Sequence, residues 1–549
     1  MLVAIQLATI FSKGKDLKAT TYDVLGYYLY VPSFTIYDDC KDLGWYTELE
    51  KKYDLQGSDF YQARRAANGN YVFTYYGGLS LFYLPFFLLG HIIALLSNFP
   101  ADGFSYPYQL CIFLSPLFYI IPAIFLLRKF LKHYYSDVAV AWSLILGLTA
   151  TNFVQYATID GNQTHAYLFV LYVLVLWYSR QWHLGPTLKN SFLLGLITGF
   201  AIFCRPTEAI MLFIPLLWIS SGFNKWKFVK EDKRHIWLVI AGGTLALLPQ
   251  FLYWQHATDQ WIYDVGSKWY FLYPYFRVLF GWEKGWFIYT PATLLFVAGL
   301  WYMRGKVYRK SVLSFCLLNL WIIMAWSDWR YGGSYSCRAL VQSYPVFILA
   351  LSGLIASMIQ SRYRKILYVL VPILVFVNLF QHVQYNKTIL HYRGMNKLYY
   401  QHVFLDLSPT PLDMSLMHSD LYLSNFEDYP VSENYKNTTA QKIQGENVFI
   451  RQEILQSGTK NEWAKIKLSV NAQKGFWNSN LVVETTTRAT PLSFPLFNAI
   501  SKEDKINTYE FFVKLDTTLE PNIIEIKVDQ KAFIGTLEQW EIQVLKTSH

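Results

Sequence analysis

Cysteine is scarce in this chain, at five in 549 residues. Cys111, Cys204 and Cys316 fall inside apolar runs, Cys40 and Cys337 outside them, and no CxxC or Cys/His ligand spacing occurs. That pattern points away from a zinc knuckle or a disulfide framework and leaves a Cys40–Cys337 bridge as the one open pairing. Charged residues make up only 16% of the chain. The formal net charge is +10, but the excess sits in short loops between apolar runs rather than in a basic–aromatic stripe, so nucleic acid is not the implied partner. There is no internal repeat, no low-complexity tract and no signal peptide with a basic start and a cleavage site.

Long apolar runs and aromatics, the latter at 18%, are abundant. Spans read at about 107–127, 137–156, 164–180, 190–204, 206–220, 236–253, 288–303, 312–326, 338–359 and 366–383. Met1 to Phe11 is apolar but too short for a span of ~20 residues, and reads as the tail of a longer first helix or as an interfacial segment. The loops alternate in charge. Those carrying Arg128, Lys129 and Lys132; Arg180 and Lys189; Lys225, Lys227, Lys230, Lys233 and Arg234; Arg304, Lys306, Arg309 and Lys310; and Arg362, Arg364 and Lys365 are basic. The loops between them hold Trp, Tyr, Asp and Gly instead, so the positive-inside rule turns the basic set toward the cytoplasm.

The stretch 71–97 is apolar enough to cross, but crossing there would invert all five basic loops. It is therefore expected to form a helix pair on, or re-entering, the outer leaflet, broken near Gly77-Gly78 and Pro85. Residues 13–106 then make one large external loop, and the transmembrane part, 1–385, has about eleven spans. Beyond it, in 386–549, runs such as "NVFIRQEIL", "AKIKLSV", "NLVVETTT", "TYEFFVKL" and "NIIEIKV" alternate with period two. Turn residues such as Gly458, Gly475, Asn478 and Pro521 separate them. That spacing predicts an external antiparallel β-sandwich, with Trp477 and Trp540 as candidate glycan-stacking rings or as ordinary core aromatics.

Ionisable residues at the outer ends of spans are the candidates for chemistry, because charge near a bilayer is costly. Asp23, in "TTYDVLGYYLY", is a candidate base or a helix cap. Asp38, Asp39 and Asp42 form an acidic cluster in the same loop, and His165 opens a span. Arg205, Lys284, Arg330 and Arg338 fall on the same membrane face, where guanidinium forks and ammonium suit phosphate.

The motifs "YDVLGYYLY", "YYGGLSLFYLPFFLLGH", "CRPTE", "EKGWFIYTP" and "GGSYSCRALV" look like those of integral-membrane GT-C glycosyltransferases. More narrowly, the chain resembles bacterial relatives of the protein O-mannosyltransferase and lipid A aminoarabinose transferase group over residues 1–385. The resemblance implies a polyprenyl-phosphate-linked sugar donor, a lipid, glycan or protein acceptor, and juxtamembrane helices in the first external loop. It also implies a bacterial inner-membrane setting with the active site outside. Asp23 would be the catalytic base, Arg338, Lys284, Arg205 and Arg330 the donor-phosphate ligands, and Tyr27, Tyr28, Asp39 and His165 substrate contacts. No cofactor is implied, and Asp38, Asp39 and His165 are the one set that could hold a divalent metal. The family's paired acidic residues are not matched, since Val24 follows Asp23, which leaves the acceptor class open. An enzyme resembling O-antigen ligases or polymerases, and a transporter or flippase, are the alternatives; the latter predicts internal symmetry that this sequence lacks.

Overall fold

The computed structural model describes residues 1–55, 60–219, 224–454, 462–497, 505–515 and 522–546. It divides into two compact units, Met1–Leu379 and Phe380–His549. Residue 220, Gly458 and Pro521 lie outside the described residues.

The first unit is helical. Among the described residues five helices are long and apolar enough to cross a membrane: Gly78–Leu95, Tyr106–Leu131, Arg234–Thr258, Arg338–Gln360 and Arg364–Asn386, the last continuing past Leu379. Several other apolar runs are shorter or interrupted. The run at 206–220 becomes a 3-10 turn, Pro206–Leu212, followed by the short helix Phe213–Leu217. The run at 288–303 is split into Trp286–Tyr289 and Thr293–Trp301 around Pro291, whose missing amide and restricted predecessor break helical continuity.

One expectation needs correction. Residues 71–97 do not form a pair of helices. Tyr71–Phe73 (β2) pairs with Ala63–Arg65 (β1) in a small antiparallel ribbon, and Gly78–Leu95 then runs as one helix straight through Pro85. An apolar helix tolerates an internal proline where neighbouring helices restore the lost packing. Here the neighbour is Tyr106–Leu131, which lies antiparallel alongside. Phe82 meets Tyr119 at 5.0 Å, Tyr119 Oη donates to the Phe82 carbonyl at 3.0 Å, and Phe87 meets Tyr108 at 5.1 Å. Closest of all is the pair Leu188–Cys204 and Arg234–Thr258. A Cβ on Gly195 would sit 2.0 Å from the Val239 carbonyl oxygen and one on Gly199 would sit 2.7 Å from the Gly243 Cα. This small-xxx-small seam lets the two backbones touch.

The second unit contains two antiparallel sheets. Asn522–Val528 (β10) lies between Ile450–Ile454 (β5) and Asn480–Thr485 (β7), and Leu492–Pro495 (β8) extends that sheet beyond β7. In the other sheet Ile534–Lys546 (β11) pairs with Val431–Asn437 (β3), Gln441–Gln444 (β4) and Glu462–Lys474 (β6), and β6 with Ile506–Lys514 (β9). The period-two runs are these strands. Along β10 every second residue is buried, and its Ile524 and Ile526 share one apolar cluster with Ile466 and Leu468 of β6. Trp540 packs against that cluster, whereas Trp477 is 59% exposed.

Candidate functional site

Asp23 falls in the first turn of the short helix Tyr22–Tyr28, where a carboxylate ordinarily serves as a cap. Here it does not. Its Oδ2 accepts from Arg338 Nη2 at 2.6 Å, and its Oδ1 accepts from Tyr75 Oη at 2.8 Å and Tyr61 Oη at 3.1 Å. Gly26 permits the arrangement, since a Cβ there would lie 2.2 Å from the Tyr75 ring. Burial alone would raise the Asp23 carboxyl. The Arg338 charge and the three hydrogen bonds overcome it and hold the group below its ordinary value.

Arg338 opens the 3-10 turn Arg338–Ser343 and is 8% exposed. Its Nη1 donates to Gln163 Oε1 at 2.8 Å, so both arms of the fork are engaged. Three non-glycine residues close to this pair adopt positive φ: Tyr22 (51°), Tyr331 (54°) and Ser336 (56°). Bulky residues in the left-handed region are costly and concentrate where function constrains the backbone.

The pair faces a cavity of about 480 Å³. Its lining includes Asp23, Tyr27, Tyr61, Tyr75, Gln163, His165, Arg205, Trp326, Asp328, Tyr331 and Arg338. Asp23, Tyr27, His165, Arg205 and Arg338 are thus gathered from segments far apart in sequence. Burial pushes the Tyr27 phenol up to about 12, the Arg205 charge opposing, so this ring enters the cavity as a neutral hydroxyl. No family model, curated protein or solved structure matches this chain. The geometry therefore carries the functional argument.

Four candidates named from sequence are placed elsewhere. Lys284 is 2% exposed, is absent from the cavity lining, and donates to the carbonyls of Gly332 (3.0 Å) and Ser334 (2.9 Å) and to Ser334 Oγ (3.0 Å). It staples the loop that leads into Arg338. Arg330 pairs with Glu283 at 2.8 Å and lies over Trp329. Tyr28 is fully buried and donates to the Gly103 carbonyl. Asp39 accepts from the amides of Lys41, Asp42 and Gly44, closing its own turn; burial raises its carboxyl, and those amides more than reverse the effect. Among the described residues no three His, Cys, Asp or Glu side chains gather into a metal-sized group, so Asp38, Asp39 and His165 do not form one.

Tyr61, Tyr75 and Gln163 escaped notice in the sequence because each acts on a partner distant along the chain, and none stands out by residue type in so tyrosine-rich a segment. Lys284 gives a measurable consequence. Burial, then the Arg338 charge, push its ammonium down to about 7. The unfolded lysine titrates at about 10.4, so between these values the unfolded chain binds more protons and stability rises with pH. Lys284→Met is expected to remove that rise, so the wild-type and variant melting temperatures should diverge between about pH 7 and 10. Parallel melting curves across that window would show that Lys284 stays charged.

Proposed function

We propose that this chain is a membrane glycosyltransferase that moves a sugar from a polyprenyl-phosphate donor to an acceptor hydroxyl, with inversion at the anomeric carbon. The observation that carries the reading is the Asp23–Arg338 pair facing a cavity that also presents Arg205 and His165. In this reading the acceptor hydroxyl gives its proton to Asp23 as its oxygen attacks the anomeric carbon. The sugar–phosphate bond breaks on the opposite side, and the departing phosphate is met by guanidinium rather than by a general acid.

The resting pair is poorly suited to a base, because Arg338 holds Asp23 low. A donor phosphate would compete for the same guanidinium. Once Arg338 turns to phosphate, burial is left as the dominant influence on Asp23 and its basicity rises. Donor binding would thus prepare the base, and acceptor deprotonation without donor would be suppressed.

A second, more apolar cavity of about 420 Å³ supports an isoprenoid donor. It is lined by Phe34, Leu81, Leu84, Phe203 and Leu252 among others. Tyr30 lines it too, and its hydroxyl donates at 2.7 Å to the carbonyl of Tyr75, which lines the polar cavity.

The finer topology belongs to the same proposal. About eleven spans place the basic loops in the cytoplasm and the carboxy-terminal unit, as a β-sandwich, outside a bacterial inner membrane. Single cysteines replacing the exposed Lys230 and Arg451 test this in intact cells. The five native cysteines are all buried. An impermeant thiol reagent should label position 451 and spare 230; the reverse pattern rejects the orientation and the proposed active-site face.

The activity itself is tested with full-length protein in lipid vesicles. Undecaprenyl phosphate bearing glucose, mannose or galactose is supplied as donor, with cell-envelope extract as acceptor. Release of undecaprenyl phosphate coupled to sugar transfer supports the reading. No release from any donor, together with unchanged surface glycolipids, glycans and glycoproteins in cells lacking the gene, overturns it.

A further inference from the structure

Behind the cavity lies a line of polar side chains that the transfer step leaves unused. Glu208, on the Pro206–Leu212 turn, is 2% exposed. Its Oε2 accepts from Tyr172 Oη at 2.5 Å and its Oε1 from Gln342 Nε2 at 2.6 Å. The other end of the Gln342 amide, Oε1, lies 2.7 Å from His165 Nδ1, and Arg205 Nη1 approaches the same oxygen at 3.5 Å.

The chemistry of these groups gives the line a direction. A carboxylate only accepts, so Glu208 fixes the amide nitrogen of Gln342 toward itself and the amide oxygen toward His165. That oxygen also only accepts, which places the imidazole hydrogen on Nδ1. His165 is 3% exposed and lines the cavity together with Arg205 and Arg338, so a charged ring there is disfavoured first by burial and then by both cations, with Asp23 already paired to Arg338. The imidazole is then neutral, and its Nε2 is an acceptor with no hydrogen of its own.

Such a line is expensive to build into an apolar interior, where each polar group must be satisfied. Simple packing of helix Thr164–Leu184 against the Arg338–Ser343 turn would be served by apolar residues. What the line achieves is control over the ring of His165, which lines the cavity.

We infer that His165 Nε2 accepts a hydrogen bond from a hydroxyl of the transferred sugar, with Gln342 and Glu208 as positioning residues, so that this trio sets which sugar-bearing donors are accepted. The inference rests on the transferase reading above. A site built to accept from a hydroxyl discriminates strongly against a ligand lacking it, because its own polar atom is left unpaired.

The test uses full-length protein in nanodiscs and two kinds of probe. One is undecaprenyl phosphate; the other is the same lipid phosphate bearing glucose, mannose or galactose, with single-deoxy versions of the preferred sugar. Wild type is expected to bind one sugar-bearing lipid more tightly than the bare lipid, and to lose that preference for one deoxy sugar. His165→Asn keeps an amide N–H toward Gln342 but removes the cavity acceptor. It should weaken the sugar-bearing lipid by ~10-fold or more while leaving the bare lipid unchanged. His165→Gln, whose Oε1 reaches the place of Nε2, should stay within ~3-fold of wild type. Gln342→Leu should reproduce the selective loss and add little to His165→Asn, the mark of two residues acting through one contact.

Sugar preference intact in His165→Asn, equal weakening of both probes, or additive losses in the double variant would each overturn the inference while leaving the transferase reading standing. Wild type that binds no sugar-bearing lipid better than the bare one also overturns the inference, and the transferase reading falls with it only if no donor releases undecaprenyl phosphate either.

Discussion

Asp23→Asn is expected to lower sugar transfer by at least ~100-fold, the smaller end of what a positioned general base contributes. The substitution keeps the shape of the side chain and one oxygen to accept from Tyr75 or Arg338, and it removes the proton acceptor. It also leaves the Arg338 guanidinium without its counter-charge. Breaking a buried pair from one side costs ~3–5 kcal/mol, and the figure is smaller here because the Asp23 side chain is 28% exposed and water reaches it. The variant must therefore be followed by melting temperature as well as by turnover. Donor affinity separates the two effects. With the competing carboxylate gone, Arg338 is freer for phosphate, so undecaprenyl-phosphate sugar should bind as well as, or better than, to wild type. Tight donor binding with collapsed transfer assigns Asp23 to the chemical step. A folded variant with full turnover returns Asp23 to a structural role in holding Arg338.

The two parts of this chain differ in how much of them is legible from sequence. The carboxy-terminal strands are written in period-two alternation, and β10 buries every second residue as that pattern requires. The apolar helices are legible as apolar, but their boundaries are not. Pro291 divides one run into two short helices, while Pro85 leaves another whole, because what replaces a missing hydrogen bond is tertiary packing, which hydropathy does not encode. The cationic candidates show the same limit. Arg338, Arg205, Lys284 and Arg330 are alike in charge and in the membrane side expected of them from sequence, yet two line the cavity, one staples a loop and one pairs with Glu283. Residue type indicates what a side chain is able to do; the partners that select among those roles lie far along the chain, 47 positions away for Arg330 and 315 for Arg338. Glu208 stands inside the conspicuous motif "CRPTE", but its role becomes visible only when Gln342 and His165 are placed beside it.

Arg338→Ala is expected to lower transfer by ~100- to 1,000-fold, the range for loss of one electrostatic stabiliser of developing charge. The loss should appear in donor affinity and turnover, with acceptor KM little changed. Lysine at this position restores the charge but not the fork that reaches both Asp23 and Gln163 at once, so Arg338→Lys should recover only part of the lost rate. A second signature follows from the ion pair. In wild type the acid limb of kcat/KM reports free enzyme, in which Arg338 holds Asp23 below the ordinary carboxylate range. The acid limb of kcat reports the donor-bound enzyme, in which phosphate has taken the guanidinium, and it should lie at higher pH. In Arg338→Ala the cation that opposes burial of Asp23 is missing in both states. The kcat/KM limb should therefore move up toward the kcat limb, the direction required of a base that works only when deprotonated. Unchanged donor affinity and an unmoved acid limb would instead make Arg338 a structural anchor for the Arg338–Ser343 turn.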